Sequence, residues 1–267
     1  MKPTLHRGAA LAAMLLVAGP SLAQGADCPR QLRLGMINYA APPLVTDSRN
    51  GPVDDVPGQL APWLRKALAR SGCRVALHIL RLPVPRGYEY LKSGEIDVWA
   101  PGTASAQALE IGVLPMRGTQ VDERLGYARF RYFFYVPKGE SAVRWDGKAL
   151  NGPPGYTLGI SNATVVVEFA QTHGWLTERA PNTNLTIDKL LARRFPVALV
   201  PEQSMQARPE GDLARLDRLE PAALDTWFQA VFSKPFAAKH PQFTRQLWLS
   251  LCQASRKDQP ELPRCTP

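Results

Sequence analysis

Apolar positions recur with two periods along the chain. Between residues 58 and 70, Leu60, Trp63, Leu64, Ala67 and Leu68 fall at three- and four-residue intervals, the spacing of a helix with one apolar face. Apolar runs at 32–37 and 75–80 lie on either side of it and predict strands. A second helix is predicted over 88–93 and stops at Gly94, a residue able to take the left-handed conformation that closes a helix. The apolar run 96–100 then fits a strand buried on both faces. Strand, helix, strand, helix, strand is a βαβ series, the building unit of open α/β sheets. Ligand crevices in such sheets lie beyond the carboxyl ends of the strands, which puts Trp99, Gly102 and Thr103 at a ligand mouth. Trp99 as core and Thr103 as a helix N-cap are the plainer alternatives.

The pattern continues in the same style. Residues 45–57 are polar and rich in Gly, Pro and Asp, hence a loop. Residues 123–139 are long, aromatic and alternating, the signature of an extended strand on which Arg124, Arg129 and Arg131 are either a solvated face or a source of positive charge for a ligand. A strand near 156–161 ends in a polar turn and runs into a helix at 165–173. Free amides at that helix start suit an anion, making Ser161, Asn162 and Thr164 candidates for binding or for N-capping. An amphipathic helix at 185–194 precedes a short buried strand at 197–200, after which Glu202 offers a carboxylate. A strand at 227–232 and a closing helix at 240–254, with Phe243, Leu247, Leu251 and Cys252 on one face, complete the chain.

Residues 1–23 read as a cleaved secretory signal: Lys2 and Arg7 in front, an apolar stretch from Ala9 to Ala18, and Ser21-Leu22-Ala23 as a small-residue cleavage site. The expected location is periplasmic. The net charge of +9 comes from scattered residues without a nucleic-acid motif, so no nucleic acid is expected as partner. Four cysteines in an exported protein imply disulfides. Cys28 and Cys73 each directly precede a predicted strand, so parallel neighbours would bring both to one sheet edge; the expected pairs are Cys28 with Cys73 and Cys252 with Cys265, one of three possible arrangements. With no Cys-x-x-Cys and with His78, His173 and His240 isolated, neither metal nor cofactor is expected.

Leu91-Lys92-Ser93-Gly94-Glu95-Ile96-Asp97, followed by a strand and a Gly/Thr/Ser loop, resembles the first lobe of periplasmic solute-binding proteins, in particular the extracellular solute-binding family 3 that serves amino-acid ABC importers. The order of later segments is also similar. These are the aromatic crossover ending in Val136-Pro137-Lys138-Gly139, then Leu158-Gly159-Ile160-Ser161-Asn162-Ala163-Thr164, and Ser233-Lys234 after the return strand. The resemblance implies a two-lobed, type II periplasmic-binding-protein-like α/β fold, each lobe an open mixed sheet flanked by helices and joined by two crossover strands. Residues 24–128 and 227–267 would form lobe 1, and 129–226 lobe 2. By analogy Tyr39, in the loop after the first strand, would lie over the ligand, and Glu202 would stand near the acid that holds a ligand ammonium. The family's carboxylate-binding Arg follows its loop Thr by three residues, whereas Ala106 stands there in this chain. A bidentate Arg–carboxylate contact is a large, specific interaction that Ala cannot replace.

The expected function is capture of a small polar or anionic ligand in an interlobe cleft by Tyr39, Trp99, Gly102, Thr103, Arg129, Ser161, Asn162, Thr164 and Glu202. A monomeric protein would present it to an ABC permease or a membrane sensor. The alternatives are a lyase or dehydratase on the same scaffold, with Glu202 and Glu123 as the available acids, or an accessory protein without a transported ligand.

Overall fold

The computed structural model describes residues 27–266; the expected signal segment lies outside them. Its centre is a 10-stranded sheet built from two parallel units on either side of two long antiparallel strands. In the first parallel unit, Gln31–Ile37 lies between Ala76–Leu82 and Val98–Thr103. In the second, Leu158–Ser161 lies between Thr177–Ala180 and Val197–Pro201. Ala128–Pro137 joins the second unit and Leu216–Ser233 the first, each antiparallel to its neighbours and paired with the other. Helices cover the sheet, so both units are βαβ series with strands buried on two faces, as their continuous apolar runs require. The chain thus has the mixed α/β type II periplasmic-binding fold.

Local chemistry explains the element ends. Gly94 closes the helix Val84–Ser93 with φ 77°, its amide donating to Leu91 O at 3.3 Å. The strand that follows does not stop at Ala100, as the small-residue sequence suggests, but runs through Pro101-Gly102-Thr103. Between Gly102↔Gln229 and Trp99↔Val231, Ala100 and Pro101 on one strand face the single Ala230 on the other. This is a bulge, and it accommodates a proline that cannot donate to the ladder. Gly102 makes the close approach possible, because a Cβ there would lie 2.5 Å from Val231 Cγ2 and 2.9 Å from Gln229 O.

The long aromatic segment begins later than its alternation suggests. Residues Glu123–Leu125 form a 3-10 turn because Asp122 caps the Arg124 amide and grips the Arg124 guanidinium at 2.7 and 2.6 Å. The return strand is far longer than 227–232, at 18 residues, and its register breaks between Leu219 and Leu224, where Pro221 interrupts the alternation that would have announced it. The closing helix Pro241–Ser255 packs against Leu60–Arg70. Cys28 is bonded to Cys73 and Cys252 to Cys265, with Cα separations of 5.5 and 6.0 Å. The parallel register Gln31↔Ala76 is what brings the first pair to one edge.

Candidate functional site

The carboxyl ends of both parallel units point toward one cleft. Tyr39 follows the first strand, Val84 the second, and Thr103 ends the third; Ala163 and Thr164 follow Leu158–Ser161, Thr183 follows Thr177–Ala180, and Ser204 follows Val197–Pro201. The two crossing strands supply the floor. Side chains alternate across a strand, so Phe130 and Tyr132 face the cleft while Arg129 and Arg131 project from the opposite face. Phe228 joins them from the partner strand, its ring 4.7 Å from that of Phe130 at 71°.

Among the described residues, none that lines the cleft is charged. Its polar groups are the hydroxyls of Tyr39, Tyr88, Tyr132, Thr103, Thr164, Thr183 and Ser204. Burial pushes the Tyr39 phenol up to about 12 and raises that of Tyr132 further, the nearby Tyr39 adding to the shift. Burial also raises Tyr88, opposed by hydrogen bonds with Thr164 and Ser105. These phenols stay neutral and serve as donors or acceptors. The helix Thr164–Thr172 opens on the cleft with Ala163 at its N-cap, a residue with no side-chain oxygen to satisfy the first amides.

One carboxylate spans the mouth. Glu168, on the helix after Leu158–Ser161, accepts from the Ala106 and Gln107 amides at 3.1 and 3.4 Å. Those amides begin the short helix after Val98–Thr103, whose N-cap Ser105 accepts from Ala108 at 3.0 Å. Ala106, which lacks a cation of its own, is therefore met by an acid from across the cleft. In this arrangement the cleft encloses only about 60 Å³.

Tyr39, Trp99, Thr103 and Thr164 line the cleft. Trp99 is nonetheless 1% exposed, standing over Gly87 and Gly35, where a Cβ would come within 2.1 and 2.8 Å of its ring, and edge-on to Tyr88 at 6.0 Å. Gly102 serves the strand contact described above and is not part of the lining. Ser161 is buried at its strand end, and Asn162 donates its amide to Ala180 O at 3.0 Å; neither lines the cleft. Arg129 sits on the far face, paired with Asp225 and lying 5.7 Å over the Trp227 ring. Glu202 is also turned away, held by Arg131 at 2.7 Å and Arg218 at 2.6 Å, with both guanidinium groups over Phe133. Of the residues the sequence reading passed over, Phe130 and Tyr132 were legible in the alternation Ala128-Arg129-Phe130-Arg131-Tyr132. Thr183 and Ser204 sit at helix starts and Tyr88 inside the helix Val84–Ser93, none with such a signal.

No protein-family model and no curated protein matches the sequence. Solved structures do. A histidine kinase sensor domain with similarity to periplasmic binding proteins superposes with TM-score 0.64 at 15% identity, covering 86% of this chain and 95% of that one. An ancestral arginine-binding protein bound to arginine gives 0.62 at 15% identity over 87% and 98%. The GluR0 ligand-binding core from Nostoc punctiforme in complex with L-glutamate gives 0.63 at 10% over 86% and 94%. The chain has the fold of the amino-acid-binding periplasmic proteins.

Proposed function

We propose that this is an exported solute-binding protein that captures a small molecule in the cleft and closes on it. The observation that carries the reading is the lining. Every strand of both parallel units sends the residues beyond its carboxyl end, or its last residues, to one cavity, so a ligand there touches both units at once and favours the form in which they are together. In this reading residues 24–128 with 227–267 form one lobe, 129–226 the other, and the paired crossing strands are the hinge. Tyr39, Trp99, Thr103 and Thr164 contact the ligand, joined by Tyr88, Tyr132, Phe130 and Phe228. Two disulfides and a basic, apolar N-terminal segment support a periplasmic location. The closed form is then read by an ABC permease or by a membrane sensor, and the protein works as a monomer. Among the described residues the lining offers rings and hydroxyls without a carboxylate or imidazole, which favours binding over acid–base catalysis.

Thermal unfolding of the disulfide-intact protein against a solute panel of amino acids, dicarboxylates, aromatic compounds, polyamines and sugars tests this. A ligand at one hundred times its Kd stabilises the fold by about 2.7 kcal/mol, an easily read rise in Tm. A flat response to every class at millimolar concentration overturns it.

A further inference from the structure

We propose that the ligand is an uncharged aromatic molecule bearing a neutral oxygen such as an amide, ketone or alcohol. The proposal rests on the solute-binding reading above and gives the chemical class that reading lacks.

Charge disfavours an amino acid as the ligand. An α-amino acid brings a carboxylate and an ammonium into a site that excludes water, and each needs an opposite charge or a full set of hydrogen bonds. Among the described residues the lining holds no cation and no anion. The nearby charges are already committed. Arg129 is paired with Asp225, and Glu202 bridges Arg131 and Arg218, all on the face of the crossing strands away from the cleft. Ala106 stands at the start of the helix at the mouth, and its amide is taken by Glu168. Glu168 at the rim therefore repels a ligand carboxylate and is satisfied by the backbone.

The shape of the cleft points the same way. Phe130 and Phe228 meet edge to face at 4.7 Å, as do Tyr88 and Trp99 at 6.0 Å, leaving ring faces and edges directed into the space between. An aromatic guest packs against such edges and faces in the offset or T-shaped geometry that rings prefer. The hydroxyls of Thr103, Thr164, Thr183 and Ser204 supply the hydrogen bonds that fix its orientation, and the uncapped amides before Val166 favour an oxygen acceptor. A pocket of rings with a few placed hydroxyls is the usual composition of a site for a small neutral ligand.

The cavity volume adds a steric consequence. At about 60 Å³ it is under half of the roughly 150 Å³ apolar cavity that admits benzene. A benzene-sized guest therefore needs the cleft to widen beyond the arrangement described.

Calorimetric titration with ring-matched probes tests the class. Benzamide and benzyl alcohol are neutral, benzoate is an anion, phenylalanine a zwitterion, and arginine and glutamate are charged solutes without a ring. The expected result is binding of the neutral pair at least tenfold tighter than benzoate or phenylalanine, with arginine and glutamate silent. Tyr39→Ala and Phe228→Ala should each weaken benzamide several-fold, whereas Arg129→Ala on the far face should not; a cooperative melt for each variant shows that it folds. Tighter binding of phenylalanine, benzoate, arginine or glutamate overturns the chemical class and leaves the solute-binding reading standing. Silence from both neutral probes overturns the class as well. If the wider solute panel is also flat, the binding reading falls with it.

Discussion

The two parallel units solve the same packing problem with different residues. In the first, Leu91-Lys92-Ser93-Gly94-Glu95-Ile96-Asp97 leads from a helix into Val98–Thr103; in the second, Leu190-Leu191-Ala192-Arg193-Arg194-Phe195-Pro196 leads into Val197–Pro201. Both turns pass through a left-handed residue four positions before the strand, Gly94 at φ 77° and Arg193 at φ 55°. Both place an apolar wedge, Ile96 or Phe195, over a glycine of the neighbouring strand, Gly35 or Gly159. The ladders correspond as well, with Leu34↔Val98 and Gly35↔Trp99 matching Leu158↔Val197 and Gly159↔Ala198.

The difference lies in charge. The buried Asp97 is held by Arg33 at 2.6 Å and by the Arg33 amide at 2.8 Å, and Arg81, with its side chain fully buried, grips Asp47 at 2.8 Å and the Ile37 carbonyl. The second unit has Pro196 where the first has Asp97, and no fully buried charged side chain is found among its described residues 158–201. A left-handed stop and a small residue beneath a large one are thus common to both units, whereas the ion pair is optional. Charge in the first unit instead ties down the loop that carries Tyr39, since Asp47 lies in that loop.

Breaking the buried pair should have the largest effect. Arg81→Ala removes a fully buried guanidinium from Asp47 and the Ile37 carbonyl while Arg49 still pairs with Asp47 at 2.7 Å, and should cost about 3 kcal/mol in denaturant unfolding, with Tyr39 displaced from the cleft. Filling the small position of the second unit comes next. Gly159→Ala places a Cβ 2.1 Å from the Phe195 ring, and overpacking of this kind costs about 1–3 kcal/mol. Restoring Leu or Val at position 195 in that background should recover most of the loss if the wedge is the cause. Arg193→Gly sharpens the comparison in the other direction. Relief of the left-handed conformation should raise stability by up to about 1 kcal/mol, net of the greater freedom of glycine in the unfolded chain.

The smallest change at neutral pH, and the most specific in acid, concerns Asp122 at the entry to the crossing strands. Its hydrogen bonds with Arg124 hold its carboxyl below the usual carboxylate range. A folded-state pKa that is lowered contributes stability that is complete above the unfolded value, about 3.9, and disappears as pH falls through the folded one. The wild-type acid limb should therefore be steeper than that of Asp122→Asn below about pH 4, the two curves converging at the acid end. Parallel curves would show that the pair contributes nothing to acid sensitivity.

Comparison of the units also indicates why the fold was legible in the sequence and the site only partly so. The helix period of Leu60 to Leu68, the Gly94 stop and the alternation from Ala128 to Tyr132 are local patterns, and local patterns fix elements. Pro101 and Pro221 hid strand residues because a proline in a strand is tolerated only where the partner supplies a bulge or a register break, and that partner is remote in sequence. The same limit applies to the cleft. Arg129 and Glu202 carry the chemistry expected of a ligand site, yet strand parity turns Arg129 outward, and two arginines on the far face claim Glu202. Position in the sheet, rather than residue type, decides which groups meet a ligand.

The proposed function requires the two units to move as bodies about the crossing strands, with Glu168 holding the mouth. Small-angle X-ray scattering of the wild type and Glu168→Ala tests it most directly. Loss of a charged hydrogen bond worth about 1.5 kcal/mol shifts the open-to-closed ratio roughly tenfold, so the variant should show a larger radius of gyration at an unchanged, cooperative melt. Superimposable scattering profiles for the two proteins, with and without benzamide, would contradict the account.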